Sequence, residues 1–376
     1  MNEHRRIWTT TYDSEINLNI GTIKRYKKLE YIQMRDFASI PMQFVGPIRL
    51  GGHLISGEYE VPLATYEKPL WPSVNRGARI SMHTDEGIQC TLVDDRMTRS
   101  VLFETPSAAE AVQILQHIES DESGIATAAS STGRFVKLID IHSQIAGNLL
   151  FLRLAFKTGD AAGHNMCTQA AEAVMNYLLD RFPTLKYESI SGNYCSDKKA
   201  TAVNGILGRG KYVVAELTVS EKLCSRFLKT SPERLVQLNV RKNLIGTLLA
   251  GGIRSANAHV ANMLLGFYLA TGQDAANIVE GSQAITFAEV RDGALYFSVT
   301  LPNLIMGTVG NGKELRFVKE NLKKMGLSGG KEVGKQAQQL AGLCAASVLC
   351  GELSLLAAQT NPGELMASHL KIERDH

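Results

Sequence analysis

The sequence predicts an α+β chain in which a small ferredoxin-like βαββαβ unit is inserted between two halves of a larger domain built around a buried central helix. The order of apolar patterns over residues 100–190 predicts the small unit: a strand, a helix, two alternating strands, a helix and a strand. The segment 256–270, rich in Ala, Gly and Leu and almost free of charge, predicts the central helix, because small residues let neighbouring elements approach closely. Length completes the argument, since 376 residues with 44% hydrophobic content exceed what a single core usually serves.

Residues 1–40 carry mixed charge and modest periodicity, and read as a short helical N-terminal segment. Over 41–99 the pattern turns to glycine-punctuated β segments such as Glu58-Tyr59-Glu60-Val61-Pro62-Leu63, followed by a loop over 66–75 that holds charge in apolar surroundings. In the small unit, Val101-Leu102-Phe103 is a strand and 108–118 repeats apolar residues at helical spacing. Alternating strands over 134–141 and 148–156 join through a hairpin connection at 143–147, a helix spans 164–179, and 185–190 closes the unit. A polar connecting loop, 191–199, leads back to the larger domain over 200–376. There Gly272 ends the central helix, and the nearly apolar segment 336–359 packs across the same core.

The 40 basic and 37 acidic residues are intermixed, so a net charge of +3 excludes a nucleic-acid surface built on bulk charge and leaves anion binding to local sites. Six cysteines (Cys90, Cys167, Cys195, Cys224, Cys344, Cys350) lack the paired spacing of a zinc site or a disulfide framework, which points to a reducing cytoplasm. Residues 1–28 have no apolar signal-like stretch, and the longest apolar run, 340–350, falls short of the ~20 residues that span a bilayer, so no membrane attachment is expected.

Gly329-Gly330-Lys331-Glu332-Val333-Gly334-Lys335 has most of a P-loop. Gln336 stands where the magnesium-binding hydroxyl belongs, and a lysine-rich stretch rather than a buried strand precedes it, so a helix-start loop is the better reading. No GxGxxG opens a βαβ unit, which places any dinucleotide outside the Rossmann pattern. Gly159-Asp160-Ala161-Ala162-Gly163-His164-Asn165-Met166 lies between a strand and a helix. Its small residues and free N–H groups can receive a pyrophosphate, although turn geometry alone also explains its glycines. Ser191-Gly192-Asn193-Tyr194-Cys195-Ser196-Asp197-Lys198-Lys199 crowds polar groups between an apolar strand and an apolar helix start. A lysine held beside Asp197 can polarise a carbonyl and steady an oxyanion; the bland alternative is a solvated turn. Glu67, Asp274 and His369 share apolar or small-residue surroundings, with ordinary alternatives as a loop charge, an N-cap and a tail residue. Cys195, next to basic residues, offers a further alternative as an acyl-transfer nucleophile.

Several motifs follow one another from about residue 46 to the C-terminus: Val61-Pro62-Leu63-Ala64-Thr65 with Glu67, Ser73-Val74-Asn75-Arg76-Gly77, Met97-Thr98-Arg99, Gly159-Asp160-Ala161 and 191–199. Beyond these come Gly208-Arg209-Gly210-Lys211, Lys242-Asn243-Leu244, Asn257-Ala258-His259, Gly272-Gln273-Asp274-Ala275-Ala276, Gly307-Thr308-Val309-Gly310 and Ser368-His369. In this order they resemble the class I 3-hydroxy-3-methylglutaryl-CoA (HMG-CoA) reductases, in their soluble catalytic portion.

The resemblance implies a small NAD(P)-binding domain (100–190) set into a large CoA- and substrate-binding domain (41–99 and 200–376). It implies active sites between the subunits of a homodimer or of a larger assembly of dimers, and a cytoplasmic enzyme of the mevalonate and isoprenoid pathway. The implied reaction converts HMG-CoA to mevalonate and CoA with two hydrides from NAD(P)H, NADPH being favoured and NADH allowed, without a metal. On that likeness Lys198 stabilises the oxygen that gains charge, and Glu67, its pKa raised by burial and by Asp274, supplies protons. His369 protonates the departing CoA thiolate. Substrate contacts fall on Arg99, Ser191, Asp197, Lys199 and Lys242, with Asn262 supporting Lys198. Cofactor contacts fall on Arg134, Asp160, Gly163, Asn165, Val309 and Gly310, with Arg134 suited to a 2′-phosphate.

The chain also departs from the family pattern. Glu67 is followed by Lys68-Pro69 instead of glycine, Gly133 stands where a serine precedes Arg134, and His164 replaces an apolar residue. The Glu-Asn-Val-Ile-Gly dimer motif is missing around 32–36. A bulky charge and a rigid ring beside the acid motivate the alternative, a CoA-thioester-binding homologue with impaired turnover.

Overall fold

The computed structural model describes residues 38–373, the side chains of 368, 369 and 371–373 excepted. The helical segment expected over 1–40 lies almost wholly outside the described residues, and so does the region 32–36. In chain order, the elements that position the site begin with β1 (Met42–Gly51), β2 (Gly57–Ala64), α1 (Leu70–Ser81), β3 (Ile88–Glu104), α2 (Ala108–Ser120), α3 (Glu122–Ser130), β4 (Lys137–Ala146) and β5 (Leu149–Lys157). They continue with α4 (His164–Arg181), β6 (Lys186–Ser189), β7 (Gly210–Val219), α5 (Val260–Ala270), β8 (Ile285–Arg291), β9 (Ala294–Leu304), α6 (Lys335–Thr360) and α7 (Glu364–Glu373).

The strand β3 organises everything else. Its first half, 89–96, pairs with β7 inside the path β2-β1-β3-β7-β9-β8. Its second half, 97–104, pairs with β5, and 102–104 pair with β6, giving the order β6-β3-β5-β4, antiparallel throughout. Each half has its own apolar core. Val61, Trp71, Phe267, Phe297 and Leu349 belong to the first, and Val101, Phe103, Leu152 and Val174 to the second.

The element order expected over 100–190 is observed, with two differences. The connection at 143–147 shrinks to the turn at Gly147-Asn148, because β4 runs on through His142-Ser143-Gln144, a polar stretch that hides a strand paired on one side only. An unexpected helix, α3, follows α2; it buries only Ile125 and Ala129, too sparse a stripe to read as periodicity.

The loop expected over 66–75 is instead largely helix. Pro69 sits at the cap of α1 with φ already near −61°, and Leu70, Trp71, Val74 and Ala78 then recur at helical spacing against α6. The Trp71 Nε1–H donates to the Leu63 carbonyl at 2.8 Å, which fastens α1 to β2.

The central helix is α6 rather than 256–270. It spans 26 residues and is buried on nearly every side, while α5, shorter than expected, packs beside it. Among the described residues α6 is long and apolar enough to cross a membrane, but 94% of its most apolar window is buried inside the protein, as expected of a core helix. All six cysteines are free and buried.

Candidate active site

Lys198 lies in the connecting loop with a left-handed backbone (φ 57°), a conformation of its own kind of cost that the surroundings hold in place. Its amide donates to Glu280 Oε1 at 3.2 Å. Its ammonium stands 3.2 Å from Asp274 Oδ2 and 3.6 Å from Asp197 Oδ2. Partial burial works against that charge, but the carboxylates of Asp197 and Asp274 outweigh it and raise the Lys198 pKa above the ordinary lysine value. Asp274 also caps the following turn by accepting from the Ala276 amide at 3.1 Å, so it fills the ordinary N-cap role while standing beside Lys198.

Behind Asp197 stands Arg209, only 1% exposed. Its Nη2 donates to Asp197 Oδ1 at 2.6 Å, and its Nη1 donates to the Thr98 carbonyl and hydroxyl at 2.7 and 2.9 Å. Its Nε is 3.6 Å from the fully buried Glu280. Burial opposes the Asp197 charge, yet Arg209, Lys198 and His164 together hold its carboxyl below the usual range. Lys198 is thus a cation set between the Asp197 and Asp274 carboxyls, open to a cleft of about 580 Å³.

Arg99, Gly163, Asn165, Val309 and Gly310 line the same cleft. Gly163 begins α4, an 18-residue helix, with φ 94° and no side-chain cap, so the first amides face the opening and suit an anion. The turn 159–163 and the loop 307–310 touch through a parallel bridge between Ala161 and Val309. The contact requires glycine: a Cβ on Gly307 would lie 2.5 Å from both the Ala162 nitrogen and the Asp160 oxygen. His164, in the first turn of α4, is held with a low pKa by burial, Arg209 and Lys198, and its Nε2 is 3.9 Å from Asp197. Arg134 lines a neighbouring cavity with Phe135, Lys137, Lys157 and Gly159, and its guanidinium lies 4.5 Å from the Phe135 ring centre.

Asp160 does something other than expected. Its carboxylate accepts from the Gly334 and Ala337 amides at 2.9 and 3.0 Å, capping the start of α6 from a distant part of the chain. The charge satisfies donors at the end of that helix. The same two bonds explain the P-loop-like glycines as a helix start already closed by a protein carboxylate. Asp160→Ala is therefore expected to cost about 1–2 kcal/mol of stability. Denaturant unfolding checks this; an unchanged midpoint would remove the capping role.

Glu67 faces another cavity, of about 330 Å³, with Ser73, Arg76, His259 and Asn262. Asn262 Nδ2 donates to Glu67 Oε2 at 2.9 Å. The expected support of Lys198 by Asn262 is thus not met within one chain, and Asp274, at Lys198, is not a lining residue of the Glu67 cavity. Glu352 of α6 braces this half by accepting from the Ala258 and His259 amides at 2.8 and 2.6 Å. Its charge also reaches Lys242, whose pKa is lowered chiefly by burial. Arg76 holds Glu364 at 2.7 Å and so ties α1 to the start of α7. His369 falls on α7, but its side chain lies outside the described residues. Lys68-Pro69 is accommodated at a helix start, since Pro69 serves as the cap of α1.

Among the remaining expectations, Lys199 donates to the Asp197 carbonyl at 3.1 Å, and the Ser191 amide donates to Ser189 Oγ at 3.0 Å. Cys195 is 1% exposed, so its thiol is out of reach of a substrate and the nucleophile alternative fails on access. Sequence reading assigned no role to Arg209, Glu280, Glu352 or Lys313. Arg209 stands in the quoted Gly-Arg-Gly-Lys motif, a charge flanked by glycines at a strand start; the other three carried no local signal.

A fixed ammonium between carboxyls, opening beside an uncapped, glycine-lined helix start, is the arrangement suited to an enzyme acting on a carbonyl group of an anionic substrate. The chain matches the hydroxymethylglutaryl-coenzyme A reductase family over residues 36–374 and belongs to it. It is 45% identical over 328 residues to the 3-hydroxy-3-methylglutaryl-coenzyme A reductase of Pyrococcus horikoshii, covering 86% of this chain and 79% of that protein. It is 42% identical over 332 residues to that of Aeropyrum pernix, covering 88% of this chain and 78% of that one. In fold it resembles the class II 3-hydroxy-3-methylglutaryl-CoA reductase of Streptococcus pneumoniae solved with NADPH, with a TM-score of 0.69 at 18% identity, covering 86% of each chain.

Proposed function

We propose that the chain reduces HMG-CoA to mevalonate and free CoA in two successive steps, at sites shared between two copies of the chain. The observation that carries this reading is the division of the site. Lys198, Asp197 and Asp274 line one cleft and Glu67 lines another, whereas a thioester carbonyl being reduced needs both the ammonium and the acid. A second copy that brings its Glu67 to this Lys198 completes the set, in a homodimer or an assembly of dimers. The exposed apolar residues Leu244, Ile245, Leu248, Leu249 and Ile253, next to Lys242, support such an interface, because a strip of this kind is seldom left to water.

The strand order β6-β3-β5-β4 and the separate apolar core support reading 100–190 as the ferredoxin-like cofactor domain, joined through 191–199 to the large domain of 41–99 and 200–376. In this reading Gly163, Asn165, Val309 and Gly310 hold a nicotinamide dinucleotide on the cleft side of the turn, and Arg134 receives the 2′-phosphate of NADPH, with NADH as the weaker substrate. The turn 159–163 borders both cavities, which favours one extended ligand. Two cofactor molecules, bound there one after the other, would supply one hydride each. Lys198 donates to the oxygen that gains charge, first of the thioester and then of the aldehyde, while Asp197 and Asp274 keep the ammonium in place. Glu67 delivers the proton to that oxygen, and His369 protonates the CoA thiolate as it leaves. Arg99, Ser191, Lys199 and Lys242 meet the carboxylate end of the substrate. No metal takes part, and the six free, buried thiols suit the cytoplasm.

The first experiment is oxidation of NADPH and of NADH with HMG-CoA; consumption of neither sinks the reading. The second mixes two inactive forms, Glu67→Gln and Lys198→Met. Half of the randomly assembled dimers pair one of each, and half of their sites have both groups intact, so roughly a quarter of native activity is expected to return. A mixture as inactive as its parts refutes the shared site.

A further inference from the structure

We propose that Lys313 is a positioning residue that ties the turn carrying Asp274 to the loop carrying Val309 and Gly310, so that the cofactor loop and the Asp274–Lys198 pair share one mount. The proposal rests on the reductase reading above and adds a residue to its machinery.

Lys313 lines the catalytic cleft yet is only 8% exposed. Its ammonium donates to the Gly272 carbonyl and, at 3.3 Å, to the Asn311 carbonyl, while its own amide donates to the Gly310 carbonyl at 3.1 Å. One side chain therefore joins two loops that lie some forty residues apart in sequence. A second tie runs in parallel: Gln273 Nε2 donates to the Gly307 carbonyl at 3.0 Å, and the Gly307 amide donates back to Gln273 Oε1 at 3.0 Å. The loops approach so closely that a Cβ on Gly272 would meet the Gly312 oxygen at 2.5 Å.

Burying a lysine is costly, and a loop that merely closed on itself would not need one. The ammonium answers two carbonyls with charge-assisted bonds, which are roughly twice as strong as neutral ones. Burial pulls its pKa down to about 8, against the attraction of Glu314 and Asp274, so the group remains mostly charged at neutral pH. Arg99 and Lys198 share the cleft and add positive charge around it, whereas His164, its pKa lowered by burial and by Arg209, stays neutral there. Asp274 thus has Lys198 at its carboxylate and Lys313 at the carbonyl two residues before it. A shift of the 307–313 loop is passed directly to the group that places the reactive ammonium, and 1 Å there is enough to cost rate.

The test uses the whole protein and two readouts. Amide hydrogen exchange over 272–277 and 307–313 is measured without ligand, and steady-state kinetics are measured with HMG-CoA and NADPH. Lys313→Met is expected to speed exchange in both segments together and to lower kcat about tenfold, with KM for HMG-CoA and NADPH within about twofold. Lys313→Arg, which keeps the charge, is expected to recover most of both losses. If Lys313→Met does not fold, Lys313→Gln, neutral and shorter in reach, is expected to show the same paired loss. Unchanged exchange overturns the proposal; so does faster exchange with native kcat, which marks a purely structural role, or a raised KM for NADPH with native kcat, which marks direct ligand contact. Exchange is read without turnover, so a wild-type protein lacking reductase activity sinks the reductase reading separately, whatever the exchange shows.

Discussion

Replacing Lys198 by methionine is expected to lower kcat for HMG-CoA reduction by about 10²–10³-fold, the usual loss when one donor to a developing oxyanion is removed. The ammonium is held 3.2 Å from Asp274 and 3.6 Å from Asp197, so little reorganisation remains to be done when charge appears on the substrate. Methionine keeps the length of the chain and removes the charge, leaving two carboxylates facing the place where negative charge develops. Lys198→Arg is not a conservative control, because a planar fork does not fit a frame built for a compact ammonium. Cofactor oxidation at saturating substrate measures the effect, and a variant retaining activity within about threefold of native would falsify the oxyanion role.

Arg209→Met is expected to cost about 3–5 kcal/mol, because it leaves buried carboxylates without their counter-charge. Glu280 is fully buried and Arg209 1% exposed, so neither can turn to water. Burial already raises the Glu280 pKa, with Arg209, the Lys198 amide and Asn277 among the groups holding it back. Removing the guanidinium lets Glu280 take up a proton, and the amide of Lys198 then donates to a neutral acceptor instead of an ionised one. The loss is expected to be smaller at pH 5 than at pH 8, since protonating the stranded carboxyls relieves part of it. Equilibrium denaturation at both pH values checks the size and the direction; a midpoint equal to native at pH 8 removes Arg209 from the account.

The β-strands and buried helices were legible because their apolar residues repeat at the period of the element. The polar stretch His142-Ser143-Gln144 concealed the end of β4, and Pro69 concealed the start of α1, which it in fact sets. In the site, Asp274 was legible as a charge among small residues and Asp197 and Lys198 as part of a polar cluster between apolar elements, and the structure brings them together. Within one chain Asn262 meets Glu67 and Asp160 meets the start of α6, partners that no local pattern announces, because an amide or a carboxylate says nothing locally about which distant backbone or side chain it will meet. Lys313, between Gly312 and Glu314, has the look of a solvated loop charge; only the meeting of two remote glycines removes it from water.

The capping of α6 by Asp160 reaches further than one helix end. At 1.5 Å per residue the helix is a strut roughly 39 Å long. One end is clasped by the turn that opens beside Arg134; farther along, its Glu352 grips the backbone of His259, next to Asn262 and Glu67. The turn at 159–163 and the backbone beside Glu67 are therefore fastened to one and the same rigid element of a single polypeptide. A displacement of that turn is expected to travel along the stiff beam to the Glu67 side rather than be absorbed locally.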